Sequence, residues 1–177
     1  MFKVFFLNEL RYTLKQPMVY IFTLMIGLLV FGATSSDSIV IGGAVGNVFK
    51  NAPHIITTFT LIMSLFGLLM GAAFFNNAAL RDYNNHFNEI LFSTPLSKFG
   101  YFFGRFTGAL VISTIPLLGV FLGAIVGTFI APLAGWEDPE RFGDFYMGTF
   151  VNNYFLFILP NMFFAGAVIY SLAVSFR

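Results

Sequence analysis

The sequence predicts an all-α, polytopic membrane protein with about four transmembrane helices, an N-terminal interfacial helix and a short cytoplasmic coupling helix. Two observations support this fold class. Hydrophobic residues make up 58% of the 177 residues and charged residues only 10%, whereas soluble domains carry roughly 25% charged residues. The chain also contains uncharged runs of about the 20 residues that a helix needs to cross a bilayer. We therefore expect the lipid bilayer to surround a single transmembrane domain, residues 1–177.

Four uncharged runs are candidate membrane spans, and they cover residues 17–33, 55–75, 106–133 and 145–176. Pro17 suits the first turn of the shortest run, because proline lacks the N–H that would be unpaired there. The last run is longer than a bilayer requires, so it should tilt or lie partly at the interface. Pro116 and Pro160 predict kinks in the third and fourth spans.

Residues 1–16 have the pattern of an amphipathic elbow helix at the membrane surface. An apolar stripe lies on one side and the basic residues Lys3, Arg11 and Lys15 lie largely off it. A secretory signal peptide is the alternative, with residues 17–33 as its apolar core. That alternative lacks a cleavage site of the A-x-A type.

The basic residues predict the orientation in the membrane, because cytoplasmic loops are enriched in Lys and Arg. With four alternating spans, only Lys50 and Arg141 fall on one side. The other seven of the nine fall on the opposite side: Lys3, Arg11, Lys15, Arg81, Lys98, Arg105 and Arg177. Both termini are therefore expected in the cytoplasm, with the spans in the cytoplasmic membrane.

Glycines at four-residue spacing predict close helix packing. Two sets lie in and just before the third span, and a third set lies in the second span: Gly100, Gly104 and Gly108; Gly119, Gly123 and Gly127; and Gly67 with Gly71. Small residues at this spacing let two helix backbones approach within a membrane. We expect the second-span pair to form the matching groove for the third span.

The sequence contains no pattern that indicates catalysis. It has no cysteine, its two histidines, His54 and His86, are far apart, and no nucleotide, zinc-peptidase or hydrolase motif is present. We therefore expect no enzyme activity, metal or cofactor, and the net charge of +1 does not favour nucleic acid. Ion-coupled transport needs ionisable groups within the membrane, and the four runs contain none. Any uphill transport would draw its energy from a partner.

Residues 76–98 connect the second and third spans and are expected on the cytoplasmic side. Apolar residues recur there at helical spacing: Leu80, Tyr83, Phe87, Ile90 and Leu91. We expect a short amphipathic helix that ends before Pro95, since a residue preceding proline is disfavoured in the helical region. An ordinary interfacial connector would show the same pattern.

The order of elbow helix, two spans and the inner stretch EILFSTPLSKFGYFFGRF, residues 89–106, resembles the start of an ABC-2-type transporter permease. The similarity extends from Phe2 to about Thr114. It implies a permease subunit that pairs with a second permease subunit, in a homo- or heterodimer, and with a separate ATP-binding cassette ATPase. The residues that it places at the ATPase-coupling surface are Arg81, Asp82, His86, Glu89, Ser93, Thr94 and Pro95, the first four as exposed side chains. Members of this family usually have more spans, so we expect the chain to be an N-terminal fragment.

A non-transporting membrane anchor or assembly subunit is the other function compatible with the sequence. In that role the glycine faces would serve only to bind other helices.

The orientation can be tested with single cysteines, since the chain has none of its own. Cysteines at Ser36 and Asp138 should react with a membrane-impermeant thiol reagent in intact cells, whereas one at Asn85 should react only after the membrane is opened. Labelling of Asn85 from outside would reverse the orientation.

Overall fold

A computed structural model describes residues 1–43, 46–87, 89, 91, 93, 95 and 97–176. Four of the helices in the described residues are α1, Phe2–Leu14; α2, Pro17–Ser35; α3, Pro53–Asn84; and α4, Lys98–Leu133. Helices α2 and α3 both begin at a proline, as the sequence indicated for Pro17. At α4, the side chain of Ser97 accepts a hydrogen bond from the Gly100 N–H at 3.2 Å, which caps the first turn.

The last span contains a change of helical type. It consists of α5, Met147–Asn153, a π-helical turn, Tyr154–Ile158, and α6, Leu159–Ser175. The N–H of Leu159 bonds to the carbonyl of Tyr154, five residues back. Pro160 follows directly and cannot donate the next bond. Helix α4, by contrast, continues through Pro116.

Within the part of the chain that the structure describes, four helices are long and apolar enough to cross a membrane. They are α2, α3, α4 and the combined span Met147–Ser175. The described residues contain no β-strand. The chain is therefore an all-α, multi-pass membrane protein, as the sequence predicted.

Helix α4 is the centre of the bundle. It packs against α1, α2, α3 and α6, and it is the most buried of the four spans. The main apolar core includes Val30 of α2, Phe59 of α3, Leu117 and Val120 of α4, and Met162 of α6. We call the end of the bundle that carries α1 the α1 end, and the other the opposite end.

The glycines of α4 form a continuous packing surface, the glycine seam, which consists of Gly100, Gly104, Gly108, Gly119, Gly123 and Gly127. The first three face α1: a Cβ at Gly104 would lie 2.9 Å from the Phe2 carbonyl oxygen. The last three face α2, where a Cβ at Gly123 would collide with the Gly27 carbonyl. Both halves of the seam therefore lie against helices of the same chain.

The partner assigned to this seam from the sequence was wrong. Gly67 and Gly71 face side chains: a Cβ at Gly67 would lie 2.7 Å from Leu117, and one at Gly71 would lie 3.3 Å from the Met162 sulfur. The groove that receives the second half of the seam is built around Gly27 of α2, which is not part of a repeated glycine pattern.

The predicted short helix after the second span was also placed incorrectly. Leu80 to Tyr83 belong to α3, which ends in a Schellman motif. His86 adopts a left-handed φ of +53°, its N–H bonds to the Tyr83 carbonyl at 3.0 Å, and the Phe87 N–H bonds to the Asp82 carbonyl at 2.8 Å. Helical residues recur at Glu89 and Leu91, whereas Ile90 lies outside the described residues. We call residues 85–97 the connecting segment.

A loop clasp closes the opposite end, and it consists of Asp37, Lys50, Glu137 and Arg141. The Lys50 side chain is 1% exposed, with its Nζ 2.6 Å from Glu137 and 3.0 Å from Asp37. Arg141 also pairs with Asp37. Hydrogen bonds from Lys50 and then Arg141 lower the pKa of the Asp37 carboxyl. The carboxylate therefore stays charged at neutral pH and the two loops remain joined.

A matched pair of alanine substitutions tests the glycine seam. Gly→Ala normally stabilises a helix by about 1 kcal/mol, but the new methyl at Gly123 would overlap the α2 backbone. Gly123→Ala should therefore lower the unfolding free energy by about 1–3 kcal/mol, measured by denaturant unfolding in detergent micelles.

Gly148→Ala is the control, because apart from its chain neighbours and its own helix backbone no atom lies within 4 Å of a Cβ built there. It should be neutral or stabilising. If both variants show the same change, the seam does not hold the bundle together.

Candidate functional site

The α1 end contains a buried group of four charged residues, the ion cluster: Glu9 of α1, Arg81 and Asp82 of α3, and Arg105 of α4. Glu9, Asp82 and Arg105 are 3%, 7% and 6% exposed. Burial of single charges would be costly, so their pairing decides whether the three helices can meet here.

Arg81 binds Glu9 through two parallel hydrogen bonds. Its Nη1 lies 3.1 Å from Oε1 and its Nη2 lies 2.6 Å from Oε2. This bidentate geometry is the strongest form of an arginine–carboxylate pair. The guanidinium also lies over the ring of Tyr12, 4.0 Å from its centre. Helix α3 is thereby fixed to α1.

Arg105 completes the cluster from α4. Its Nη2 donates to Asp82, its Nη1 donates to the carbonyl of Ala78 at 3.1 Å, and Nη1 lies 3.5 Å from Glu9. The Tyr101 hydroxyl donates a second bond to Asp82 at 2.9 Å. Two carboxylates and two guanidiniums therefore neutralise one another across the three helices.

Two of the predicted coupling residues are not exposed. Asp82 is buried, and the Arg81 side chain is 12% exposed and paired with Glu9. The expectation of exposed side chains at these two positions is corrected, because both belong to the last turn of α3 and face α1 and α4. In the structure, Arg81 and Asp82 join α3 to these two helices.

The remaining predicted coupling residues lie on the connecting segment. His86, Glu89, Ser93 and Pro95 are exposed. Thr94 lies outside the described residues, as does Leu96 of the same motif.

Sequence reasoning missed Glu9, Tyr101 and Arg105. One signal was present for Glu9, the only acidic residue among the first 16. It shares a helical face with Phe2, Phe5 and Phe6. An acidic residue in an apolar stripe needs a cationic partner on a neighbouring helix, and two such partners are found.

A second polar group lies between α3 and the last span. The Asn153 side chain is 3% exposed, and it accepts a bond from Thr57 at 3.1 Å and donates to Thr60 at 3.4 Å. These contacts join the helices but contain no titratable group. No group of three or more His, Cys, Asp or Glu side chains in the described part of the chain could hold a metal ion.

The fold and this site define the class of protein. It is a polytopic, all-α membrane protein in which α1, α3 and α4 meet at a buried, charge-neutral ion cluster. Comparison with protein-family models, with curated proteins and with solved structures finds no match.

Glu9→Gln tests the ion cluster. The substitution leaves Arg81 and Arg105 with one carboxylate between them, and breaking a buried pair typically costs 3–5 kcal/mol. Because Arg81 is partly exposed, we expect a loss of about 3 kcal/mol in unfolding free energy in detergent micelles.

Glu89→Gln is the matched control. Glu89 is exposed, and among the described residues it has no ion-pair partner, so its loss should be near zero. In a double-mutant cycle, Glu9→Gln with Arg81→Gln should cost less than the sum of the single changes. Additive costs would show that the two side chains are not coupled.

Proposed function

We propose that the chain is a membrane-spanning permease subunit of an ABC transporter, moving its substrate with energy from a separate ATP-binding subunit. The observation that carries this proposal is that the connecting segment is joined at both ends to the ion cluster. Asp82 precedes it on α3 and Arg105 follows it on α4.

This arrangement suits the transmission of force. The segment leaves α3 through the Schellman motif at His86 and enters α4 through the cap at Ser97. A partner that presses on the exposed residues between these points acts on two helices that span the membrane. The ion cluster transmits the same displacement to α1 through Glu9.

The distribution of charge supports an external source of energy. The four uncharged runs contain no Asp, Glu, Lys, Arg or His side chain that could carry a proton or a coupling charge. In the ion cluster, each carboxylate is already held by a guanidinium. ATP hydrolysis by a partner on the cytoplasmic side supplies what these spans lack.

In this proposal the α1 end faces the cytoplasm, as the distribution of basic residues favours, and a second permease subunit completes the substrate path. The membrane-anchor alternative depended on glycine faces that bind other helices. The structure weakens that argument, because α1 and α2 of the same chain occupy the seam.

A charge reversal on the connecting segment tests the proposal. When the full chain is purified from membranes, an ATPase with a P-loop motif should be recovered with it and should hydrolyse ATP. Glu89→Lys should reduce the amount of ATPase about fivefold, the effect of losing one exposed charge contact worth about 1 kcal/mol. The amount of chain in the membrane should not change.

Glu140→Lys makes the same charge change on an exposed residue at the opposite end and should retain the ATPase. Equal retention by both variants would remove Glu89 from the contact. Recovery of the wild-type chain without any ATPase would favour the anchor function.

A further inference from the structure

A cleft with a cationic lining opens beside the ion cluster, between α1, α3, α4 and the connecting segment. We call it the basic cleft. Four basic residues line it, and Asp82 is the acidic residue among the described lining residues: Arg11, Lys15, Arg81 and Arg105. Since Glu9 and Asp82 neutralise the last two, Arg11 and Lys15 give the cleft its net positive charge.

Several hydrogen-bond donors of the basic residues in the cleft have no acceptor or ion-pair partner among the described residues. Arg11 and Lys15 are exposed, and neither has an ion-pair partner in the described part of the chain. The Arg105 side chain is more than nine-tenths buried, and its Nε finds no hydrogen-bond acceptor among the described residues. An unpaired buried donor of a charged group is costly.

Apart from Asn8, the remaining described residues of the lining are apolar or aromatic. Phe5 and Tyr12 of α1 lie on one side, and Phe87 and Leu91 of the connecting segment lie on the other. A small inorganic anion gains nothing from such walls. A molecule with an anionic head and hydrocarbon next to it matches both parts of the lining.

The position of the cleft makes lipid the source of such a molecule. Helix α1 exposes the apolar side chains of Phe2, Val4 and Leu7, as expected of a helix that lies in the membrane interface. Basic pockets between helices at the membrane surface are suited to phosphate headgroups. A helix that lies in the interface is at the level of the headgroups, and this would let a lipid reach the cleft without leaving the membrane.

We propose that the basic cleft binds the phosphate headgroup of an anionic phospholipid in the leaflet at the α1 end. Arg11 and Lys15 donate charge-assisted hydrogen bonds to the phosphate oxygens. Phe5, Phe87 and Leu91 contact the glycerol and the first methylenes. The bound lipid thereby joins the elbow helix to the connecting segment, a role that does not depend on the identity of the ATPase or of the transported substrate.

Native mass spectrometry of the full chain in detergent micelles tests the proposal. Phosphatidylglycerol and phosphatidylcholine are titrated separately, and phosphatidylglycerol should bind at least tenfold more tightly. Arg11→Gln combined with Lys15→Gln should weaken its binding about 25-fold, because each cation near an anionic lipid contributes a factor of about five.

Lys3→Gln combined with Lys98→Gln is the matched control. Both residues are exposed at the α1 end but do not line the cleft, and the change in net charge is the same. This pair should weaken binding less than threefold. Equal losses in the two double variants, or equal binding of the two lipids by the wild-type chain, would overturn the proposal.

Inorganic phosphate distinguishes the two sources of the anion. At 1 mM it should leave bound phosphatidylglycerol in place, and displacement would show that the site takes free phosphate instead. Melting temperatures without added lipid should be the same for both double variants. A lower value for Arg11→Gln with Lys15→Gln alone would assign these residues to folding and overturn their role as ligands.

Discussion

Close backbone contact along α4 is the constraint on which the rest of this structure depends. Lipid tails are as apolar as helix side chains, so the hydrophobic effect does little to join helices within a bilayer. Dispersion contacts must do so, and they fall off steeply with distance. The glycine seam lets α1 and α2 approach the α4 backbone, and it thereby fixes the helix against which α3 and α6 also pack.

The ion cluster depends on this contact. A Cβ at Gly108 would lie 2.7 Å from Glu9 Cβ, so the missing side chain makes the space in which Glu9 reaches Arg81 and Arg105. Glycine spacing and charge pairing therefore act together at the contact between α1 and α4. The first brings α1 close to α4, and the second selects the register in which its carboxylate meets both guanidiniums.

The sequence predicted the fold class well because transmembrane helices depend on composition and length, both of which are local properties. It also identified the six glycines of the seam, since a four-residue period is visible in one helix. The partners of those glycines depend on which helices meet in three dimensions, and Gly27 carries no periodic signal.

The same reason explains the error at Arg81 and Asp82. Amphipathic spacing around Leu80 and Tyr83 fits the end of a long helix as well as a separate short helix. The burial of Arg81 and Asp82 depends on their partners, Glu9 and Arg105, which the sequence did not identify.

The π-helical turn reconciles two packing surfaces within the last span. Its inward-facing residues include Asn153, Ile158, Met162, Gly166 and Tyr170, which are separated by five residues and then by fours. Residues five apart on a regular α-helix would differ by about 140° around the axis, so an uninterrupted helix would turn one of the two sets towards lipid. The extra residue in the turn cancels most of that offset. The amide of Asn153 can therefore remain with the threonines of α3 while Tyr170 packs on the aromatic rings of α4, and a single span follows two neighbours along its length.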